Sequence, residues 1–321
     1  MEVSPQIRRI EAPFENRRLC LYVMETKGGR VLVDTGLATT PETSLFPYLR
    51  ECGLRPEQID RVIVSHADFD HFGGNGPVRE AAPNARFLCH PRDEKWICDP
   101  EAIIREKYAE GARKHGFPQS AESAEAIRRQ IRPTPMDGPL EEGDGRFAPW
   151  ELLHLPGHTP GHIGLYHPER RIALIQDALL GAGVPDKEGN PAFPPPYRLL
   201  DGYLDSIRKL EERPVDCLLT AHYPVLRGAE AAAFVSESRA FAERLDRLLR
   251  ETLEQSDKPL TLKDLIPQLA PRLGHWREEA WGTLRIPLMG HLESLISEGA
   301  AKEIPCGEDS IARYEWIRGG A

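Results

Sequence analysis

Four side chains of metal-binding type, His66, Asp68, Asp70 and His71, fall together in the stretch Ser65-His66-Ala67-Asp68-Phe69-Asp70-His71-Phe72-Gly73-Gly74. Imidazole and carboxylate are the donors that zinc, iron and manganese accept. The stretch follows the β-branched run Arg61-Val62-Ile63-Val64-Ser65 directly. A tight turn at the end of a buried strand can aim alternate side chains at one point, which is what coordination requires. Solvated surface rarely packs such a cluster between Val-Ile-Val and Phe-Gly-Gly. Three further candidates lie just past predicted strands: His158 in Leu155-Pro156-Gly157-His158-Thr159-Pro160-Gly161, Asp177 and His222. Each alone reads as an ordinary structural residue; their shared placement at strand ends singles them out. A cation held there lowers the pKa of bound water toward ~7, giving a metal-bound hydroxide for attack on a carbonyl or phosphoryl centre. The metal charge stabilises the developing oxyanion, and Asp70 is placed to orient the nucleophile.

The elements that must position these groups are legible in the pattern. Residues 18–25 and 30–34 read as strands joined at Gly28-Gly29, the second ending at Asp34-Thr35-Gly36. Thr40-Pro41 opens a helix reaching Cys52. A helix to about Ala82 and a strand at 86–90 follow the metal-binding turn. Residues 91–133, rich in Glu, Arg, Lys and Ala, read as two inserted helices, either a lid over the site or plain packing. Strands at 150–155, 162–167, 171–176 and 216–221 and a helix at 202–212 complete the first 230 residues, with 181–197 a proline-rich loop. The remainder is helical at 229–256, 261–270 and 277–298 and closes on a hairpin, 300–305 with 311–317, turning at Gly307-Glu308-Asp309. Helix, helix, helix, hairpin is the order of a winged-helix module.

Five motifs in order resemble the metallo-β-lactamase-fold superfamily: Leu32-Val33-Asp34-Thr35-Gly36, the His66–His71 cluster, Pro156-Gly157-His158-Thr159-Pro160-Gly161-His162, Asp177 and His222. The resemblance spans residues 5–230. It implies an α/β protein with an αββα sandwich over residues 1–230 and metals at one edge of the two sheets, followed by a small winged-helix-like domain over 231–321. It further implies that His66, Asp68 and His158 bind one metal, that Asp70, His71 and His222 bind a second, and that Asp177 bridges them. Asp34 would orient ligands from behind, so Asp70 and Asp34 carry the catalytic assignment beside the metals. His162 is a candidate for similar support, Tyr223 reads as packing rather than oxyanion donor, and Phe193 and Tyr197 are candidates to line a pocket.

One position departs from the superfamily pattern of His-x-His-x-Asp-His: residue 68 is Asp. A carboxylate is harder than imidazole, so one or two zinc ions are expected, with iron or manganese tolerated. The leading function is hydrolysis of a small ester, thioester or lactone. A single-strand endoribonuclease at the same metals is the alternative. A flavodiiron-like oxidoreductase is weaker, since no flavodoxin-like pattern follows residue 230.

Charge bears on partners. The formal net charge is −9, and the segment from Ala233 holds 12 Lys and Arg against 15 Asp and Glu. The would-be recognition helix, 281–297, carries Arg285 as its single Lys or Arg. A nucleic-acid reader is ordinarily basic there, so packing or a homodimer contact is the better reading, and the partner is a small-molecule substrate. No apolar run spans a membrane. Six dispersed cysteines and no signal-like N-terminus fit reduced thiols and a cytoplasmic location.

Overall fold

The computed structural model describes residues 1–4, 6–304 and 311–318. Its first sheet takes seven strands in chain order: β1 (Glu2–Ser4), β2 (Ile7–Phe14), β3 (Arg17–Thr26), β4 (Gly29–Val33), β5 (Arg61–Ile63), β6 (Arg86–Cys89) and β7 (Gly138–Pro139). Pairing is antiparallel from β1 to β4 and parallel from β4 to β7. The second sheet begins with β8 (Glu151–His154), β9 (Ile163–His167) and β10 (Ile172–Leu174). A separate ribbon of β11 (Val184–Pro185) and β12 (Pro191–Phe193) intervenes before β13 (Cys217–Leu219) and β14 (Leu226–Arg227) complete that sheet in the order β14-β13-β10-β9-β8. Here β10 and β13 run parallel.

Alternation along the strands builds the layers. From β3, Cys20, Tyr22 and Met24 face the second sheet, where they meet Leu165, Leu174 and Leu219. The intervening Leu21 and Val23 face outward onto Phe46, Leu49 and Val78 of the helices Phe46–Glu51 and Asn75–Ala81. Strand β10 divides likewise: Ile172 and Leu174 turn inward, while Ala173 joins Tyr203 and Ile207 of the helix Leu200–Glu211. Apolar side chains on both faces explain why β3 reads as a continuous hydrophobic run. The result is the expected αββα sandwich. The outer cluster on the second sheet continues without interruption into the helices Ala229–Gln255, Leu262–Leu273 and Arg285–Ser297.

Several elements differ from expectation. Residues 91–133 form five short helical pieces rather than two helices, ending with Ala121–Arg129. Asp99-Pro100 and the left-handed Gly111 and Gly116 punctuate the stretch. One piece, Ile103–Tyr108, is a π-helix. The predicted helix at 277–298 divides into a 3-10 segment, Glu278–Leu284, and the helix Arg285–Ser297. β15 (Ala301–Ile304) pairs antiparallel with β16 (Arg313–Trp316), while the anticipated turn at Gly307-Glu308-Asp309 lies outside the described residues. Strands β1 and β2 and the β11–β12 ribbon had no counterpart in the sequence pattern. Among the described residues, Cys20, Cys52, Cys89, Cys98 and Cys217 are free thiols, and no helix is long and apolar enough to cross a membrane.

Candidate metal centre

Parallel pairing delivers the candidate ligands to one edge. Strands β4 and β5 are parallel neighbours, so Asp34 and Ser65-His66 emerge side by side. β10 and β13 do the same for Asp177 and His222 in the opposite sheet. Asp70 and His71 lie on a one-turn helix, Phe69–Phe72. Gly73 follows it so closely packed that an added Cβ would lie 2.2 Å from the Gln130 carbonyl oxygen. His158 is set by Gly157, whose φ of +144° and approach to Tyr203 leave no room for a side chain. The Gly157 carbonyl accepts from the backbone N–H groups of Arg198 and Leu199, which fixes the loop on the helix Leu200–Glu211.

Two buried groups of donors result: His66, His158 and Asp177, and Asp70, His71 and His222, each with ligand atoms within 4.8 Å of one another. His71 Nε2 lies 3.4 Å from Asp177 Oδ2 and 3.7 Å from Asp70 Oδ2. His222 Nε2 lies 3.1 Å from Asp177 Oδ2 and 3.6 Å from Asp70 Oδ2. Donors about 2.0–2.2 Å from one tetrahedral ion stand roughly 3.3–3.5 Å apart, so these separations suit coordination. His66 Nε2, His71 Nε2 and Asp177 Oδ1 are buried without any hydrogen-bond partner. Buried polar atoms are rarely left so, and three converging on one place are atoms that a cation would satisfy. The donor set fits a metal.

The far side of each ring fixes its tautomer. Nδ1 of His222 faces the Arg18 carbonyl at 2.7 Å, and that of His158 faces the Pro196 carbonyl at 3.0 Å. His71 Nδ1 faces Asp34 Oδ2 at 2.7 Å, and His66 Nδ1 meets Ser65 Oγ at 2.9 Å. Carbonyl and carboxylate oxygens only accept, and the Ser65 hydroxyl donates its own proton to Asp34. Each Nδ1 is therefore a donor, so the neutral form of each ring turns its Nε2 lone pair toward the centre. Asp34 gathers four donors: Ser65 N, Ser65 Oγ, His71 Nδ1 and Gln176 Nε2. Asp34 and Gln176 both hold positive φ, +63° and +47°, a strain the surrounding bonds must hold in place.

Electrostatics in the metal-free chain follow burial and charge. Burial pushes Asp177 up, but His222 and His71 outweigh it and hold the carboxyl well below its usual range. Burial likewise opposes the charging of His71, yet Asp70, Asp34 and Asp177 raise it well above 6.5. His66 drops to about 3, by burial and then by repulsion from His71. His162 stacks on His66 at 4.5 Å, fully buried with neither ring nitrogen hydrogen-bonded, and burial beside His66 keeps it neutral.

Asp68 stands apart from both donor groups. Its Oδ2 lies 2.7 Å from His158 Nε2 and 3.7 Å from His66 Nε2. Its Oδ1 accepts from Lys107 Nζ at 2.6 Å and from Tyr108 Oη at 2.7 Å. Burial opposes the charge, but Lys107 prevails and the carboxyl stays well below the ordinary range. Lys107 and Tyr108 close the π-helical piece of the insertion, and sequence reasoning gave them no part; the nearest signal was the unusual Asp68 itself, which called for a counter-charge. Asp93 was missed too. Fully buried, it accepts from Ala67 N, Thr159 Oγ1 and Gly161 N, tying the His66 turn to the His158 loop.

The centre opens into a pocket of about 720 Å³ walled by Phe14, Phe69, Trp96, Phe193, Ile286 and Met289, among others. Phe193 lines it as anticipated. Tyr197 does not: it is buried on Tyr203, with its hydroxyl on His291. Tyr223 donates to the carbonyls of Leu180 and Gly183 and does not line the pocket.

Residues 21–222 match the family model of the metallo-beta-lactamase superfamily. The chain belongs to that superfamily. A metallo-beta-lactamase family protein of Thermus thermophilus superposes with a TM-score of 0.73 at 25% identity, covering 98% of this chain and 100% of its own. A beta-lactamase domain protein of Burkholderia ambifaria has the same fold at a TM-score of 0.72 and 21% identity, with coverage of 99% and 93%. Both alignments take in nearly all of this superfamily member, C-terminal helices included. In sequence it is 30% identical over 167 residues to an N-acyl homoserine lactonase of a Bacillus species, covering 45% of this chain and 56% of that protein. It is 26% identical over 228 residues to the probable metallo-hydrolase YflN of Bacillus subtilis, covering 68% of this chain and 83% of YflN. The chain thus matches little more than half the length of the lactonase.

Proposed function

We propose that the protein is a metal-dependent hydrolase acting on a small carbonyl substrate, a lactone or a related ester or thioester. The observation that carries this reading is the pair of buried His and Asp groups at the floor of a largely apolar pocket. In this reading His66 and His158 hold one ion, Asp70, His71 and His222 hold another, and Asp177 serves both. Zinc suits these donors, and the carboxylates also admit iron or manganese. Bound ions would supply Lewis-acid polarisation and a more acidic water.

The chain's own residues do the rest. Asp70 orients the attacking water through the oxygen not turned to His71 and His222. Asp34 locks the His71 ring from behind, as outer carboxylates commonly do. Asp68 takes part in the first site through Oδ2, with Lys107 and Tyr108 fixing its other oxygen. The apolar walls receive an acyl chain and exclude water around the scissile bond. Similarity to an N-acyl homoserine lactonase and a probable metallo-hydrolase supports the reading.

The test is purification with metal analysis, then assay of the metal-replete protein on lactone, ester, thioester and RNA substrates before and after chelation. One to two ions per chain and chelator-sensitive hydrolysis of a carbonyl substrate are expected. Full activity without metal would overturn the reading, and RNA as the preferred substrate would replace the substrate class.

A further inference from the structure

Charged groups around the pocket are ion-paired almost throughout. Arg17 pairs with Glu15 at 3.2 Å, Lys107 with Asp68 at 2.6 Å, and Arg198 with Glu110 at 2.8 Å and Glu293 at 2.6 Å. Glu106 is held by Lys95 and Arg105. Asp70, Asp177, His158 and His222 belong to the metal centre. Arg285 is the exception. It is half-buried in the pocket wall, where Nη1 donates to the Gly282 carbonyl at 3.3 Å. Among the described residues no carboxylate lies within ion-pair distance of it and no aromatic face lies under it. Burial alone acts on its pKa, pulling it down.

Partly desolvating a guanidinium with no counter-charge costs stability rather than adding it, and a bound anion would offset that cost. The position is not one basic residue among many on a solvated face. It is the single Lys or Arg between residues 281 and 297, beside Ile286 and Met289, which share the pocket wall. A guanidinium there presents a planar fork of N–H donors to whatever enters.

We propose that Arg285 binds a monoanionic carboxylate carried by the substrate at a point away from the scissile carbonyl. This rests on the hydrolase reading above. One uncompensated positive charge matches one negative charge. A phosphate monoester, near −2, would bring a second negative charge that Arg285 alone does not offset. The segment beyond the metal-binding sandwich thereby sets substrate selectivity, since it supplies the group that recognises the anion.

The test uses the metal-replete protein and two matched chromogenic esters, 4-nitrophenyl valerate and the mono-4-nitrophenyl ester of glutaric acid. Wild type is compared with Arg285→Met and Arg285→Lys. Arg285→Met should raise KM for the glutarate half-ester by about 10–100-fold at similar kcat and leave the valerate ester within about twofold, as loss of a charged hydrogen-bonded contact implies. Arg285→Lys should recover part of the loss. Arg285→Met should also melt no lower than wild type, because it removes an uncompensated charge; a purely structural arginine would give the opposite. Calorimetric titration with 5-phenylvalerate and its neutral amide adds a readout free of turnover. The carboxylate should bind wild type at least about tenfold tighter, and Arg285→Met should shrink that preference.

Absence of ester turnover with the titration preference intact would defeat the hydrolase reading and leave the anion site standing. Turnover with equal effects of Arg285→Met on both esters, and no change in titration preference, would overturn the anion site and leave the hydrolase reading standing.

Discussion

Replacing Asp34 by Asn and by Ala should separate what this residue does for the fold from what it does for the metal. Asp34 is fully buried, and Oδ1 accepts from Ser65 N at 2.7 Å. Oδ2 takes Ser65 Oγ at 2.8 Å and His71 Nδ1 at 2.7 Å, together with Gln176 Nε2. In Asp34→Ala all four bonds vanish. Gln176 Nε2 keeps the Cys20 carbonyl, so Ser65 N, His71 Nδ1 and the Ser65 hydroxyl proton are the donors left bare. At about 1–3 kcal/mol for each buried orphan, a loss of roughly 3–9 kcal/mol of stability is expected.

Asp34→Asn keeps the shape and an acceptor for Ser65 N, but it turns an amide N–H₂ toward His71 Nδ1. The ring must then give up its Nδ1 proton and carry it on Nε2, where the metal lone pair is needed. Metal affinity should fall about 10–100-fold while the metal-free protein melts close to wild type. The assay is competition with a calibrated chelator, paired with melting curves of metal-free protein. If Asp34→Asn holds metal as tightly as wild type, His71 is not oriented by Asp34 and the tautomer reasoning fails. If Asp34→Ala melts like wild type, the four bonds carry no structural weight.

Asp68 invites a comparison of Asp68→Ala and Asp68→His under identical metal loading: the first should lower occupancy of the His66 and His158 site alone, the second should favour zinc, and equal stoichiometry in all three proteins would remove Asp68 from the ligand set. An acid-stability test concerns His115, buried against Tyr314 and brought down to about 4 by burial, with Lys114 and Arg198 acting the same way against Glu303 and Glu293. Below its unfolded value near 6.5 the unfolded chain binds the proton that the folded chain refuses, so stability should decline as pH falls from about 6.5 to 4. Melting of metal-free wild type and His115→Gln across that range should show a shallower slope in the variant, and identical slopes would assign the acid sensitivity elsewhere.

The candidate ligand positions were legible because each is written locally, as a donor just past an apolar strand. Residues 61–74 run from a β-branched strand through the donors to Gly73-Gly74, residues 155–162 set His158 between Pro156-Gly157 and Pro160-Gly161, and the structure gathers donors from both with Asp177 and His222. What stayed hidden depends on partners distant in the chain. Asp93 looks like any acid opening a helix after Pro91, and only the fold shows it receiving donors from Ala67, Thr159 and Gly161. Lys107 and Tyr108 sit in a charged, helical-looking stretch, and the π-turn that aims both at Asp68 has no sequence signature. Strand β2 leaves no clear pattern because Arg8, Arg9 and Glu11 break its alternation; yet Arg9 is buried, its guanidinium donating to Cys20 and the Tyr223 carbonyl.

The Asp68 substitution and the insertion make sense as one adaptation. A carboxylate among buried acids and imidazoles adds negative charge where water cannot dissipate it, so a carboxylate at this position needs its own cation. Lys107 supplies that cation at 2.6 Å, and Tyr108 adds a second donor to the same oxygen. Both lie on a segment pinned by Ile97, Ile103 and Ile104 to Val64, Ala67 and Phe72, the apolar residues flanking the metal-binding turn. The insertion packs on that turn and lines the pocket, and it neutralises one oxygen of Asp68 while leaving the other facing His158 and His66. On this view Lys107 and the carboxylate at 68 belong together. A histidine at 68 would leave the lysine as an unpaired cation beside a metal, so Asp68→His should gain zinc affinity fully only when Lys107→Met accompanies it.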